Sequence, residues 1–151
     1  MKIEKLGNIA DFKMGQAPHS DTYNDKGEGT LLIKAGDFGF HYPTPIEYTT
    51  KPISFSEEGD ILICVVGATS GKVNKGINAS ITRSIAAIRV HQGKLNSDFL
   101  FYYLRSSYNR LNKMTSGSAQ GIISKPILAK IEVPLPHLTD QLYIANLLSK
   151  A

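Results

Sequence analysis

Two stretches of this chain carry residue types whose spacing could do chemistry. The first, Gly67-Ala68-Thr69-Ser70-Gly71-Lys72, has the glycines and lysine of a phosphate-binding loop. Its spacing excludes a nucleotide site, because three residues separate the glycines where four are needed and Val73 stands where a Mg-binding hydroxyl belongs. What remains is a Gly-hinged turn exposing Thr69, Ser70 and Lys72, with Lys75 close behind. Such a turn can approach a nucleic-acid backbone closely, and a plain hairpin connection is the alternative. The second stretch, Thr115 to Gly121, contains Ser116, Ser118 and Gln120. Gln can pair bidentately with N7 and the amine of adenine, and Ser hydroxyls suit phosphates or base edges. The same residues are also ordinary turn formers.

Other chemistry lacks its residues. The histidines His19, His41, His91 and His137 are scattered, without the pairing of His or Cys that a metal site needs. Cys64 lies within the apolar run Ile61 to Val66, so it reads as a small packed hydrophobe in a chain with no second cysteine. No Gly-x-Ser-x-Gly elbow occurs. The glycine-rich cofactor loop and the Asn/Asp-Pro-Pro-Tyr/Phe motif of adenine-amine methylases are missing too, so the chain is not expected to methylate by itself.

Composition narrows the class. At 151 residues, 42% hydrophobic and 20% charged, the chain suits one core-bearing domain and not a disordered segment. The start, Met1 to Leu6, has no signal-peptide apolar region, and no apolar run reaches membrane-spanning length, which predicts a cytoplasmic protein. The net charge of +4 hides an asymmetry: residues 1–60 carry −4, residues 61–131 carry +9 and the last twenty carry −1. A basic segment of this kind is the footprint expected of a nucleic-acid binder, since neutralised phosphates release counterions. Lys72, Lys75, Arg83 and Lys113 of that segment are therefore candidate phosphate contacts, with Lys34 before it as a further candidate.

The elements that must position these residues follow from periodicity and punctuation. Leu31 to Ala35 reads as a buried strand turned by Gly36-Asp37, and Glu58-Gly59-Asp60 turns into a strand over 61–66. A third strand spans 80–90, buried on both faces towards its end. Asn96 or Ser97 caps a helix with Phe99, Leu100, Tyr103, Leu104, Ser107 and Leu111 on one face, and Arg105, Arg110 and Lys113 gather near its C-terminal end. Pro134 and Pro136 confine a strand over 131–135 to an edge or a terminus. Thr139 or Asp140 then caps a last helix with Ile144, Leu147, Leu148 and Ala151 on one stripe.

Four pieces in this order, Lys5 to Ala10 with Gly15, Gly59-Asp60-Ile61-Leu62-Ile63, the Gly67 to Lys72 turn, and Thr115 to Leu148, together resemble a known pattern. The last piece joins a Gly-Ser-x-Gln type loop, an Ile-x-Val-Pro-Leu-Pro strand and a helix beginning near Gln141. The chain is similar to the target recognition domain of the DNA-specificity subunit of type I restriction-modification systems.

That resemblance implies an α+β fold, a curved and largely antiparallel sheet region followed by helices, with residues 1–138 as the recognition domain and 139–151 as the start of a conserved spacer helix. It implies a non-catalytic reader of duplex DNA that directs separate methylase, and in some assemblies nuclease, subunits, the methylase using S-adenosylmethionine. Gln141, Ile144, Leu147 and Leu148 are then candidate assembly contacts, including a homodimer through the last helix. A complete subunit resembles two such domains joined by long helices, so the expectation is a half subunit or a fragment. The residues alone leave two other classes open, an RNA or single-strand binding module and a small enzyme with an unrecognised site.

Overall fold

The computed structural model describes residues 1–116 and 121–151. Their order is β1 (Lys2–Lys5), β2 (Ala10–Met14), β3 (Tyr23–Asn24), β4 (Thr30–Ile33), β5 (Glu47–Thr49), β6 (Phe55–Ser56), β7 (Ile61–Cys64), β8 (Val73–Lys75), β9 (Ala79–Ile81) and β10 (Ile85–Val90), then α1 (Ser97–Ser106), α2 (Tyr108–Ser116), α3 (Lys125–Ala129), β11 (Glu132–Leu135) and α4 (Leu138–Ser149). The strands form three sheets: β1-β11, β2-β10-β7-β8 and β3-β5-β4-β9-β6. Among the described residues every pairing is antiparallel except β4 with β9. The expected α+β class holds, with the strands divided among these three sheets.

The four-stranded sheet is covered on both faces, which explains its uninterrupted apolar runs. Successive side chains of a strand point to opposite faces. Ile61 and Ile63 of β7, with Ala86, Ile88 and Val90 of β10, pack under the helices against Leu100, Phe101, Leu104 and Leu111. Leu62, Cys64, Ile85 and Ala87 point the other way, onto Ile33 and Ile81 of the five-stranded sheet. The Gly59-Asp60 motif closes the turn before β7: Gly59 has φ +90°, and Asp60 accepts two hydrogen bonds of 2.9 Å from Arg89 while its side chain is 1% exposed. That pair raises the Arg89 pKa further above its already high range.

Several expected elements are cut differently. The strand expected over 80–90 is two strands in two sheets, and the chain crosses between them at Thr82 to Ser84. Thr82 Oγ1 donates to Ile33 O at 3.2 Å and Ile85 N turns back to Thr82 O, so a hydroxyl residue there favours a turn over ladder pairing. The strand expected over 61–66 ends at Cys64, beyond which Val65 N donates to Ser84 O and Val66 bridges Ile122. The long helix is broken at Ser107, where the hydroxyls of both Ser106 and Ser107 donate to Tyr103 O at 2.7 and 2.9 Å and compete with the helical hydrogen bonds.

Two further differences lie near the C-terminus. Helix α3 lies in the stretch read only as leading to a strand, although Ser124 followed by Pro126 is a helix-start signal, and Ser124 Oγ accepts from Ile127 N at 3.4 Å. Helix α4 starts one residue before the expected Thr139 cap, with His137 at the cap position. Strand β11 pairs only with β1, and Pro134 faces Ile3, the edge location that the missing N–H demands.

Candidate nucleic-acid interface

The Gly67 to Lys72 turn closes the β7–β8 hairpin, with Cys64 N donating to Lys72 O at 2.9 Å and Gly71 N to Cys64 O at 2.7 Å. Gly67 and Gly71 have φ of +90° and +94°, the left-handed region that glycine tolerates. The turn is fastened to α2. Asn112 Nδ2 donates to Ala68 O at 3.0 Å and to Ser70 O at 2.9 Å, while a Cβ on Gly71 would stand 2.9 Å from the Asn112 backbone N. Ile122 and Ile123 lie at the same place, since Ile123 N donates to Val65 O at 2.8 Å and Val66 bridges Ile122. Val65 N in turn holds Ser84 O, which brings the Thr82–Ser84 crossing to this end of the sheet.

Thr69, Lys72 and Arg83 are therefore exposed on neighbouring turns, beside the Ser116 end of α2 and Gly121. The Lys72 and Arg83 side chains make no hydrogen bond or ion pair with any described residue, so their charges are available to phosphates. Lys113 is exposed in the last turn of α2, and Ser116 is that helix's final residue. Ser118 and Gln120 lie outside the described residues.

Three candidates are corrected by their surroundings. Ser70 is fully buried, its hydroxyl 2.9 Å from Thr115 Oγ1, so it joins the turn to α2 and faces no ligand. Lys75 lies 3.3 Å from Asp98 and within 6 Å of the ring centroids of Tyr42, Phe101 and Tyr102, which consume its charge internally. The Lys34 ammonium is paired with Glu47 and sits 5.2 Å from the Tyr23 ring centroid. The basic segment is further reduced by Arg89, paired with Asp60 and Glu57, whereas Arg105 donates to Phe40 O and His41 Nδ1 and meets no carboxylate among the described residues. The sequence marks Arg105 only as a cation near a helix end and Asn112 not at all, because nothing local identifies a helical Asn or Arg as the clamp of a distant turn.

Cys64 faces the inter-sheet core, and burial pushes its thiol up to about 11, with the Thr69 hydroxyl and Lys72 pulling weakly the other way. The thiolate, which is the nucleophile, is thus suppressed at neutral pH. Because the folded-state value is raised, this group's stabilisation is complete below about pH 9 and is lost as pH climbs towards 11. We expect a thiol reagent at pH 8 to label Cys64 only as fast as the protein opens, and labelling at the rate of a free thiol in native buffer would contradict its burial.

The family model for the type I restriction modification DNA specificity domain matches residues 1–151. The chain belongs to this family. It is 37% identical over 149 residues to a protein assigned as the MjaX type I restriction enzyme specificity subunit, and 28% identical over 163 residues to the MjaVIII specificity subunit, both from Methanocaldococcus jannaschii. Those alignments cover 96% of this chain but 35% and 38% of the relatives, so the chain spans little more than a third of their length. Among solved structures, the HsdS subunit from Thermoanaerobacter tengcongensis superposes with a TM-score of 0.85 at 33% identity, over 99% of this chain and 36% of that one. A chain from a study of the assembly and conformational transition of the type I R-M system gives 0.89 at 34% identity, over 99% and 37%.

Within this specificity domain, the expected assembly residues divide. Gln141 is corrected: it is buried at the start of α4, where Oε1 accepts from Asn96 N at 2.8 Å and Nε2 donates to Lys94 O at 3.2 Å and Pro136 O at 3.0 Å. It fastens α4 to the cap of α1. Replacing Gln141 with Ala strands these three backbone groups and is expected to cost about 2–3 kcal/mol in a urea melt without altering nucleic-acid affinity. A change in the opposite pattern would return Gln141 to a contact role. Ile144 is half-buried, whereas Leu147 and Leu148 are exposed at 51% and 44%. Ile144 and Leu148 line an apolar groove of about 450 Å³ with Phe99, Tyr102, Tyr103 and Pro134. No helix among the described residues is long and apolar enough to cross a membrane.

Proposed function

We propose that this chain reads a duplex DNA sequence and directs a type I methylase complex to it, contributing no covalent chemistry. The observation that carries the reading is the gathering at one sheet end of the 67–72 turn, the 82–84 crossing and the described residues on either side of positions 117–120, with the Lys72 and Arg83 side chains uncompensated there. In this reading Thr69, Lys72, Arg83, Lys113 and Ser116 meet the backbone, while Ser118 and Gln120 read base edges. Residues 1–138 form the recognition domain, and α4 begins the segment that attaches to partners.

The exposed Leu147 and Leu148, continuous with the apolar groove beside α1, are assigned to the methylase subunit, which would bind S-adenosylmethionine and transfer its methyl group. A nuclease subunit is the further partner this reading admits, and a second copy through α4 is the other occupant the face allows. Selection of bound sites from a random duplex library tests the central claim. Enrichment of a defined sequence is expected. No enrichment, or equal binding of single-stranded RNA of random sequence, would overturn it.

A further inference from the structure

Phe40 is 77% exposed, yet its backbone is held on several sides. Gly39 N donates to Asn74 Oδ1 at 2.9 Å and Asn74 Nδ2 returns a bond to Gly39 O at 3.0 Å, from a side chain that is itself fully buried. Lys75 N donates to His41 O at 2.6 Å, and Arg105 Nη2 donates to Phe40 O at 2.8 Å. A Cβ on Gly39 would stand 2.5 Å from Tyr42 O, so the chain turns too tightly there for another residue. A lone exposed apolar side chain means little, because most protein surface is apolar. A ring fixed outward by this many bonds to neighbouring elements is different, since the loop cannot relax to bury it.

The surroundings of the ring are cationic. The Arg105 guanidinium lies 4.1 Å from the Phe40 centroid, and beside the ring runs a groove of about 390 Å³ lined by Gly71, Lys72, Arg105 and Tyr108. No carboxylate lines that groove among the described residues. An apolar wedge backed by fixed cations is the arrangement that enters a base step and kinks a duplex, with the flanking phosphates held on either side. The groove also shares Gly71 and Lys72 with the turn already assigned to the DNA backbone.

Resting on the duplex-reading function above, we propose that Phe40 inserts at a base step of the bound site, with Arg105 and Lys72 on the adjoining phosphates. Partial unstacking is easiest at pyrimidine–purine steps, so the chain prefers TA or CA/TG at that point without a hydrogen bond to either base.

The test uses the full chain and its selected duplex, with 2-aminopurine replacing each adenine in turn. The wild-type chain raises the emission at one step. Phe40→Ala abolishes that rise and lowers the preference for the selected over the random duplex about tenfold, and Phe40→Leu restores part of both. Unfolding midpoints identify any variant that fails to fold, and the Leu variant then carries the comparison. An unchanged emission profile and unchanged selectivity in Phe40→Ala would overturn the wedge alone. If the wild-type chain enriches no duplex sequence, the wedge falls together with the duplex reading.

Discussion

Reversing Lys72 and Arg83 to Glu together should weaken duplex binding at least about thirtyfold at 0.15 M salt and flatten the salt dependence by roughly two phosphate contacts. Each neutralised phosphate contributes about 0.9 to the slope of log affinity against log salt, which at this ionic strength is about fivefold per contact, and the introduced carboxylates add repulsion. Both side chains are exposed and make no hydrogen bond or ion pair with a described residue, so the folded domain loses little by their reversal. Lys75→Gln is the informative control. Its ammonium is engaged by Asp98 and three rings, so the substitution should lower stability and leave the salt slope unchanged. Equal slopes for wild type and the double reversal, measured by titration at several salt concentrations, would remove this end of the sheet from the interface.

Gly15→Ala should destabilise the domain by about 3–5 kcal/mol, a large share of the stability of a domain this size. An added Cβ would stand 1.8 Å from Thr82 O and 2.5 Å from Ile85 O, both backbone atoms at the crossing between the two larger sheets. Relief requires the end of β2 to move away, breaking the bonds from Gly15 N to Ile85 O at 2.8 Å and from Gln16 N to Ile81 O at 3.1 Å. Gly36→Ala, which meets nothing within 4 Å, is the matched control and should stay within about 0.5 kcal/mol of wild type in urea denaturation. Similar midpoints for the two variants would mean that the crossing is far looser than its hydrogen bonds indicate.

The amino-acid sequence by itself determined those features that rest on neighbouring residues. The apolar runs within 61–66 and 80–90 demanded strands, the second covered on both faces towards its end, Gly59-Asp60 and Gly67 to Lys72 demanded turns, and the two prolines near 135 confined β11 to an edge or a terminus. The order of these pieces also sufficed to indicate the family. Long-range partners decided the rest. Arg89 and Lys72 look alike in a charge count, but Arg89 meets Asp60 across 29 positions while Lys72 meets no carboxylate among the described residues. Ser70 and Gln141 looked like contact residues until Thr115, 45 positions away, and Lys94, 47 positions away, took up their polar groups. Local propensity also favoured one continuous strand over 80–90, whereas packing against β4 placed its two halves in different sheets. Which cations remain for a phosphate, and which polar groups are already satisfied, depends on pairings that exist only once the chain has closed on itself, because a buried polar group must find its partner wherever the fold brings one.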